Sequence, residues 1–175
     1  ILALDGREAG LCRTQYVLDF SNPDVVDYIY GRLYEILKSA NIEYVKWDMN
    51  RPIAEAASLS LPPDRQGEVM HRHVLALYRL QERLVTDFPH LLLENCSSGG
   101  ARFDAGMLYY SPQIWCSDNA DPVERLMVQE GTHLVYPLST TGTHVADSPN
   151  HVNGRVTPFS TRADIALAGT FGYEL

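Results

Sequence analysis

Within residues 44–52, YVKWDMNRP, a lysine, an aspartate, an asparagine and an arginine fall inside a stretch that otherwise reads as core. Side chains of a strand alternate, so Tyr44, Lys46, Asp48 and Asn50 share one face while Val45, Trp47 and Met49 share the other. One face is apolar and the other is reactive. A lysine two residues from an aspartate also has a plain structural reading, as an ion pair.

Two further segments carry similar loads. In LLLENCSSGGARFD, residues 91–104, an apolar run ends in Glu94, Asn95, Cys96 and Ser97, and then Gly99 and Gly100 allow a sharp turn or a close backbone approach. No lysine and hydroxyl follow to make a phosphate loop. A nucleophilic Cys96 would need a histidine partner, and no histidine is placed to supply one, so the thiol reads as buried. In QIWCSDNADPVERL, residues 113–126, Asp121 precedes Pro122 and has the look of a helix cap, whereas Asp118 comes too early to cap anything. Strict alternation would put Trp115 and Asp118 on opposite faces, so one of them belongs to a loop. Two carboxylates at neighbouring strand ends, with an aromatic and several amides and hydroxyls, are the equipment for hydrolysing a glycosidic bond: one attacks the anomeric carbon, and the other protonates the leaving oxygen and then activates water. Asp19, Glu94 and Asp104 also lie at or near strand ends, and spacing does not choose the pair.

These groups need elements to position them. Residues 14–20 read as a strand, and Ser21 or Asn22 with Pro23 and Asp24 starts an amphipathic helix in which Val25, Ile29, Leu33 and Leu37 recur every four residues. Strand is expected again at 43–49, then a helix over 65–87 with Met70, Val74, Leu77 and Leu84 on one face, then a strand at 90–95. After an irregular stretch come a strand at 112–118, a helix at 122–129, a strand at 133–137, a helix at 160–168, and GTFGYEL, which reads as the middle of a strand. Such alternation predicts a parallel sheet with crossover helices. The choices are a doubly wound sheet and part of a (β/α)8 barrel. The glycine-rich nucleotide signatures of the doubly wound class are missing, and a whole barrel takes about 250 residues. The expectation is therefore an incomplete (β/α)8 TIM barrel, roughly five or six of eight units, with residues 1–175 as part of one catalytic domain. The start at Ile1, without Met, and the stop in mid-strand read as a fragment.

A formal charge of -8 and pI near 5.1 argue against nucleic acid and against an anionic membrane surface as partners. Cys12, Cys96 and Cys116 have no metal spacing and an odd count, which favours a reducing compartment. With no apolar run of membrane length and no signal-peptide pattern, a cytoplasmic location is expected.

KWDMNR (46–51), CSSGGARFDAGML (96–108) and WCSDNADPVERL (115–126) together resemble the signature segments of the retaining α-galactosidases of glycoside hydrolase family 36, the melibiases. The resemblance covers nearly the whole chain. It implies a (β/α)8 barrel between β domains that this sequence lacks, often in a tetramer, with no metal or organic cofactor and a small-molecule galactoside as substrate. It also implies Asp48 as nucleophile and Asp118 as acid/base, Lys46 and Asn50 as sugar-hydroxyl contacts, Cys96 and Gly99 as the loop beneath the galactose, Trp115 as the aromatic before the acid/base, and Arg13 as a pocket arginine. A further aromatic and an acidic pair of the family would precede Ile1. Rival readings are a raffinose synthase-like galactosyl transferase, an α-N-acetylgalactosaminidase, and an inactive fragment that only binds carbohydrate.

Overall fold

The computed structural model describes all residues, Ile1–Leu175, and they form two compact units. One contains Ile1–Glu43 with Arg51–Leu91, and the other Tyr44–Asn50 with Leu92–Leu175.

In the first unit, helix α1 (Pro23–Ser39) starts where expected: the Asn22 side chain accepts the Asp24 amide, and Pro23 occupies the first turn, where its missing N–H costs nothing. Its partner α2 (Val69–Asp87) follows a 3-10 turn, Pro63–Glu68. The two helices are joined by an Arg83–Asp27 ion pair at 2.6 Å and by the Tyr30 hydroxyl donating to Asp87. The buried stripe of α2 runs through Val69, His73, Leu77, Leu80 and Leu84. Met70 and Val74, expected on that stripe, stand 41% and 39% exposed. The helical period carries an apolar face from Val69 through 73, 76/77, 80 and 84, and Met70 and Val74 fall beside it. Leu80 and Leu84 are at most 1% exposed, and each such burial is worth roughly 1.5–3 kcal/mol. Residues 14–20, expected as a strand, form no ladder. Val17 accepts the Leu2 amide at 2.9 Å, but no neighbouring strand runs alongside to extend the pairing.

The second unit is built on five parallel strands in chain order: β1 (Tyr44–Asp48), β2 (Leu92–Cys96), β3 (Gln113–Trp115), β4 (Thr141–Ala146) and β5 (Thr170–Glu174). Helices α3 (Ala105–Tyr110), α4 (Pro122–His133) and α5 (Phe159–Ala166) lie between the later strands in sequence. Sequential parallel order with a helix in each connection is the arrangement of a partial (β/α)8 barrel.

Two expectations are corrected here. Residues 133–137 are not a strand: α4 continues to His133, Leu134 stays helical, and Leu134 and Val135 are 83% and 73% exposed. An apolar run that faces water cannot be a strand of a sheet covered on both sides. The strand comes later, at TGTHVA, where Thr141, Thr143 and Val145 are all fully buried. Helix α3 was not anticipated. The Asp104 carboxylate starts it by accepting the Gly106 and Met107 amides at 2.8 and 3.0 Å.

Candidate active site

Register fixes which side chains share a face of the sheet. Lys46 pairs with Glu94, Asp48 with Cys96, Glu94 with Gln113, and Trp115 with Gly142. Tyr44, Lys46 and Asp48 therefore continue across the sheet into Glu94 and Cys96, then Gln113 and Trp115, then Gly142 and His144. On β1 the expected alternation holds: Tyr44, Lys46 and Asp48 are the more exposed residues, and Val45 and Trp47 the less exposed. At Gly142 a Cβ would come within 3.2–3.3 Å of Glu94, Gln113 and Trp115 together, so a larger residue there would press on all three side chains.

Glu94 anchors the floor of this face. It is fully buried and accepts the Tyr44 hydroxyl and, at 2.7 Å, the Gln113 amide, while the Lys46 ammonium lies 3.9 Å from its second oxygen. Burial and the Glu94 carboxylate hold the Tyr44 hydroxyl far above its ordinary pKa, so it remains a donor. Spacing left Glu94 open as a catalytic candidate. Its partners make it a hub that fixes the side chains beneath Asp48.

Asp48 is the last residue of β1. Its Oδ2 accepts the Asn50 amide at 2.6 Å, and the Asn50 carbonyl accepts the Ser98 amide at 2.8 Å, which ties the end of β1 to the glycine-rich turn after β2. Cys96 ends β2 beside Asp48. Burial is the main cause that pushes its thiol up to about 11, a Gly99 backbone N–H opposes the shift, and Asp48 reinforces it. A thiol held there stays protonated at neutral pH, which removes it as a nucleophile. Arg102, drawn down by its own burial, adds a positive charge that Asp48 stabilises.

Gly99 has φ +79°, and a Cβ there would lie 2.7 Å from Ser117 Cα and 2.9 Å from the Asp118 amide nitrogen. Only glycine lets the turn after β2 pack against the loop after β3. That loop begins at once, because β3 ends at Trp115, so Asp118 is the loop residue that alternation required. The Trp115 indole N–H reaches it, donating to Asp118 Oδ1 at 3.1 Å. Asp121 is the cap expected: wholly buried, it accepts the Glu124 amide at 3.1 Å and pairs with Arg155 at 3.1 Å.

Lys46, Asp48, Asn50, Cys96, Gly99, Trp115 and Asp118 thus belong to one unit. Arg13 belongs to the other, in a tight turn bridged between Cys12 and Gln15, with φ +53° and its neighbour Thr14 at +57°. Arg51 clamps this turn through the carbonyls of Gly10 (2.6 Å) and Gln15 (3.2 Å). Asp19, also a candidate by position, is spent on structure: its buried carboxylate accepts the Ser21 and Ser58 hydroxyls, each at 2.5 Å. Sequence reasoning missed Arg125, which contacts Trp115, Cys116 and Ser117, and His144, whose ring lies 4.5 Å from that of Trp115 and 3.2 Å from a Glu174 oxygen. Nothing in local sequence marks Arg125, since an arginine in the second turn of a helix is ordinary. No three His, Cys, Asp or Glu side chains are gathered as a metal site, and no helix is long and apolar enough to cross a membrane.

Parallel strands in sequential order define a portion of a (β/α)8 barrel, and the carboxylates, the amide and the aromatic lie at the carboxyl ends of the strands, where proteins of this fold carry their sites. The melibiase family pattern matches residues 1–175, and the chain belongs to that family. Alpha-galactosidase 1 of Pediococcus pentosaceus is 53% identical over 175 residues, covering 100% of this chain and 24% of its own length. Alpha-galactosidase AgaA of Geobacillus stearothermophilus is 55% identical over 163 residues, covering 93% of this chain and 22% of its own. The crystal structure of AgaA, a family 36 α-galactosidase, matches with a TM-score of 0.97 at 53% identity, covering 99% of this chain and 24% of AgaA. A variant of AgaA solved with raffinose matches at 0.96 and 52% identity, covering 98% of this chain and 24% of that one. The chain therefore spans about a quarter of the length of these relatives.

Proposed function

We propose that this chain supplies the nucleophile and the acid/base of a retaining α-galactosidase, acting on terminal α-linked galactose in oligosaccharides of the melibiose and raffinose type. The carrying observation is the junction of the two loops: Asp48 is tied through Asn50 to Ser98, and the adjacent Gly99 packs on the backbone of Ser117 and Asp118. Two carboxylates from different strands are thereby locked to one piece of structure. The names of the relatives, and the raffinose in the AgaA variant, support the choice of sugar.

In this reading the Asp48 carboxylate attacks C1 of galactose. As the C1–oxygen bond breaks, Asp118 delivers its proton to the departing oxygen, leaving a glycosyl ester on Asp48 and an ionised Asp118. Asp118 then takes a proton from water, whose oxygen attacks C1 from the opposite face, so that Asp48 leaves and galactose departs with its original configuration. In the same reading Lys46 and Asn50, on either side of Asp48, contact sugar hydroxyls, and Cys96 and Gly99 belong to the turn beneath the ring. We assign residues 1–175 to a single catalytic barrel domain.

The test is time-resolved proton NMR of nitrophenyl α-galactoside cleavage by the complete enzyme. α-Galactose should appear first and mutarotate later. β-Galactose as the first product would rule out double displacement, and dominant transfer to an added sugar acceptor would make the protein a galactosyl transferase.

A further inference from the structure

Asp118 is exposed and stands three positions beyond the end of β3, where no ladder holds the backbone. A proton donor in such a place needs something to aim it. The side chain one helical turn into α4 does this through three consecutive residues before Asp118. Arg125 is 4% exposed. Its guanidinium lies 4.2 Å from the centre of the Trp115 ring, one of its nitrogens donates to Cys116 Sγ at 2.8 Å, and the other donates to the Ser117 carbonyl at 2.8 Å.

Trp115 is equally enclosed. It is 3% exposed, with the Lys46 ammonium 4.8 Å from its ring and the His144 imidazole 4.5 Å away. With a guanidinium, an ammonium and an imidazole around it, this indole has little face left for a sugar. Its free edge is the N–H, which donates to Asp118 Oδ1. An indole N–H can only donate. Oδ1 is therefore the accepting oxygen, and this contact favours Oδ2 as the carrier of the proton when Asp118 is protonated.

We infer that Arg125 and Trp115 are positioning residues for Asp118: Arg125 clamps the indole and the backbone of residues 116–117, and the indole N–H selects which carboxyl oxygen carries the catalytic proton. This rests on the reading of Asp118 as acid/base. A fault in aiming the proton has a distinctive consequence. A leaving group such as nitrophenolate departs with little help, whereas the sugar leaving group of melibiose or raffinose needs the full proton transfer. Mispositioning therefore penalises the second kind of substrate selectively, while a merely structural defect lowers both together.

The experiment compares Arg125→Lys, Trp115→Phe and Asp118→Ala in the complete enzyme, taking kcat/KM for nitrophenyl α-galactoside and for melibiose. Asp118→Ala should raise the ratio of the two by the largest factor, and Arg125→Lys and Trp115→Phe should each raise it by about tenfold, a fraction of what general acid catalysis contributes. Equal losses on both substrates for Arg125→Lys and Trp115→Phe, with Asp118→Ala still selective, would overturn the positioning role alone. A flat ratio for Asp118→Ala would overturn the acid/base assignment and this inference with it. Should Arg125→Lys fail to fold, Trp115→Phe decides, since it keeps a ring for the cations and removes the N–H together with the pyrrole ring, and the packing lost with that ring lowers both substrates alike.

Discussion

The carboxylate that ends β1 and the one that follows β3 are held by different means. Asp48 is a ladder residue. Its backbone position is set by register with Cys96, and its side chain is held by Asn50 and meets the Cys96 thiol. Asp118 has no ladder, and its position is assembled from side chains: Trp115 from the strand, Arg125 from the helix behind, and the bare face of Gly99 from a neighbouring turn. The two proposed roles ask for this difference. A nucleophile must meet one carbon along one line and profits from the stiffest available backbone. A group that first gives a proton and then takes one from water can sit on a loop, provided that its orientation is secured locally.

The sharpest way to break the comparison is to remove each carboxylate in the complete enzyme. Asp48→Ala should lower turnover by about a thousandfold or more on every galactoside, because no covalent intermediate can form without it. Its stability should change little, since the side chain is exposed. Near-normal steady-state rates would remove Asp48 from the mechanism. Asp118→Ala should cost on the order of 10²–10⁴ on melibiose and far less on nitrophenyl galactoside, and parallel kcat/KM measurements give the ratio directly.

Gly99→Ala sharpens the comparison by striking the assembled side first, because the atoms its Cβ would meet are those of Ser117 and Asp118. The positive φ and the 2.7 Å approach to Ser117 Cα mean that backbone must move, a cost on the order of 1–3 kcal/mol. The displaced backbone is that of Ser117 and Asp118. The expected outcome is a faster thermal inactivation together with a selective loss on melibiose. A variant with unchanged inactivation and an unchanged substrate ratio would mean that the two loops are not coupled through this contact.

The same division explains what could be read from sequence. The face of β1 was legible because period two is local, and so were the caps at Asn22 and Asp121, whose signals lie within four residues of the helix they start. Strand β4 was not, because the apolar run at 133–137 competed with it. The signal that would have found it was the alternation of β-branched Thr141, Thr143 and Val145, which suits a pleated, buried surface. The family resemblance named Asp118, but what holds it was invisible, since Arg125, Trp115 and Gly99 converge only in three dimensions. Glu94 is similar: its role depends on Tyr44 and Gln113, 50 and 19 positions away.

Asp104 gives the smallest effect and the control for the others, as a carboxylate in the same stretch of chain whose geometry is that of a cap rather than a reagent. Two amides of the first turn of α3, those of Gly106 and Met107, converge on its Oδ1. Asp104→Ala strands both donors at the helix start and should cost about 1 kcal/mol. The enzyme should inactivate slightly sooner on heating, and kcat/KM on nitrophenyl galactoside and on melibiose should fall, if at all, by the same small factor. Asp104→Asn should restore most of the lost stability, because an asparagine oxygen caps nearly as well. A selective loss on melibiose in either variant would put a third carboxylate into the proton-transfer chemistry, and the contrast between a ladder-held nucleophile and a side-chain-held acid would no longer describe the site.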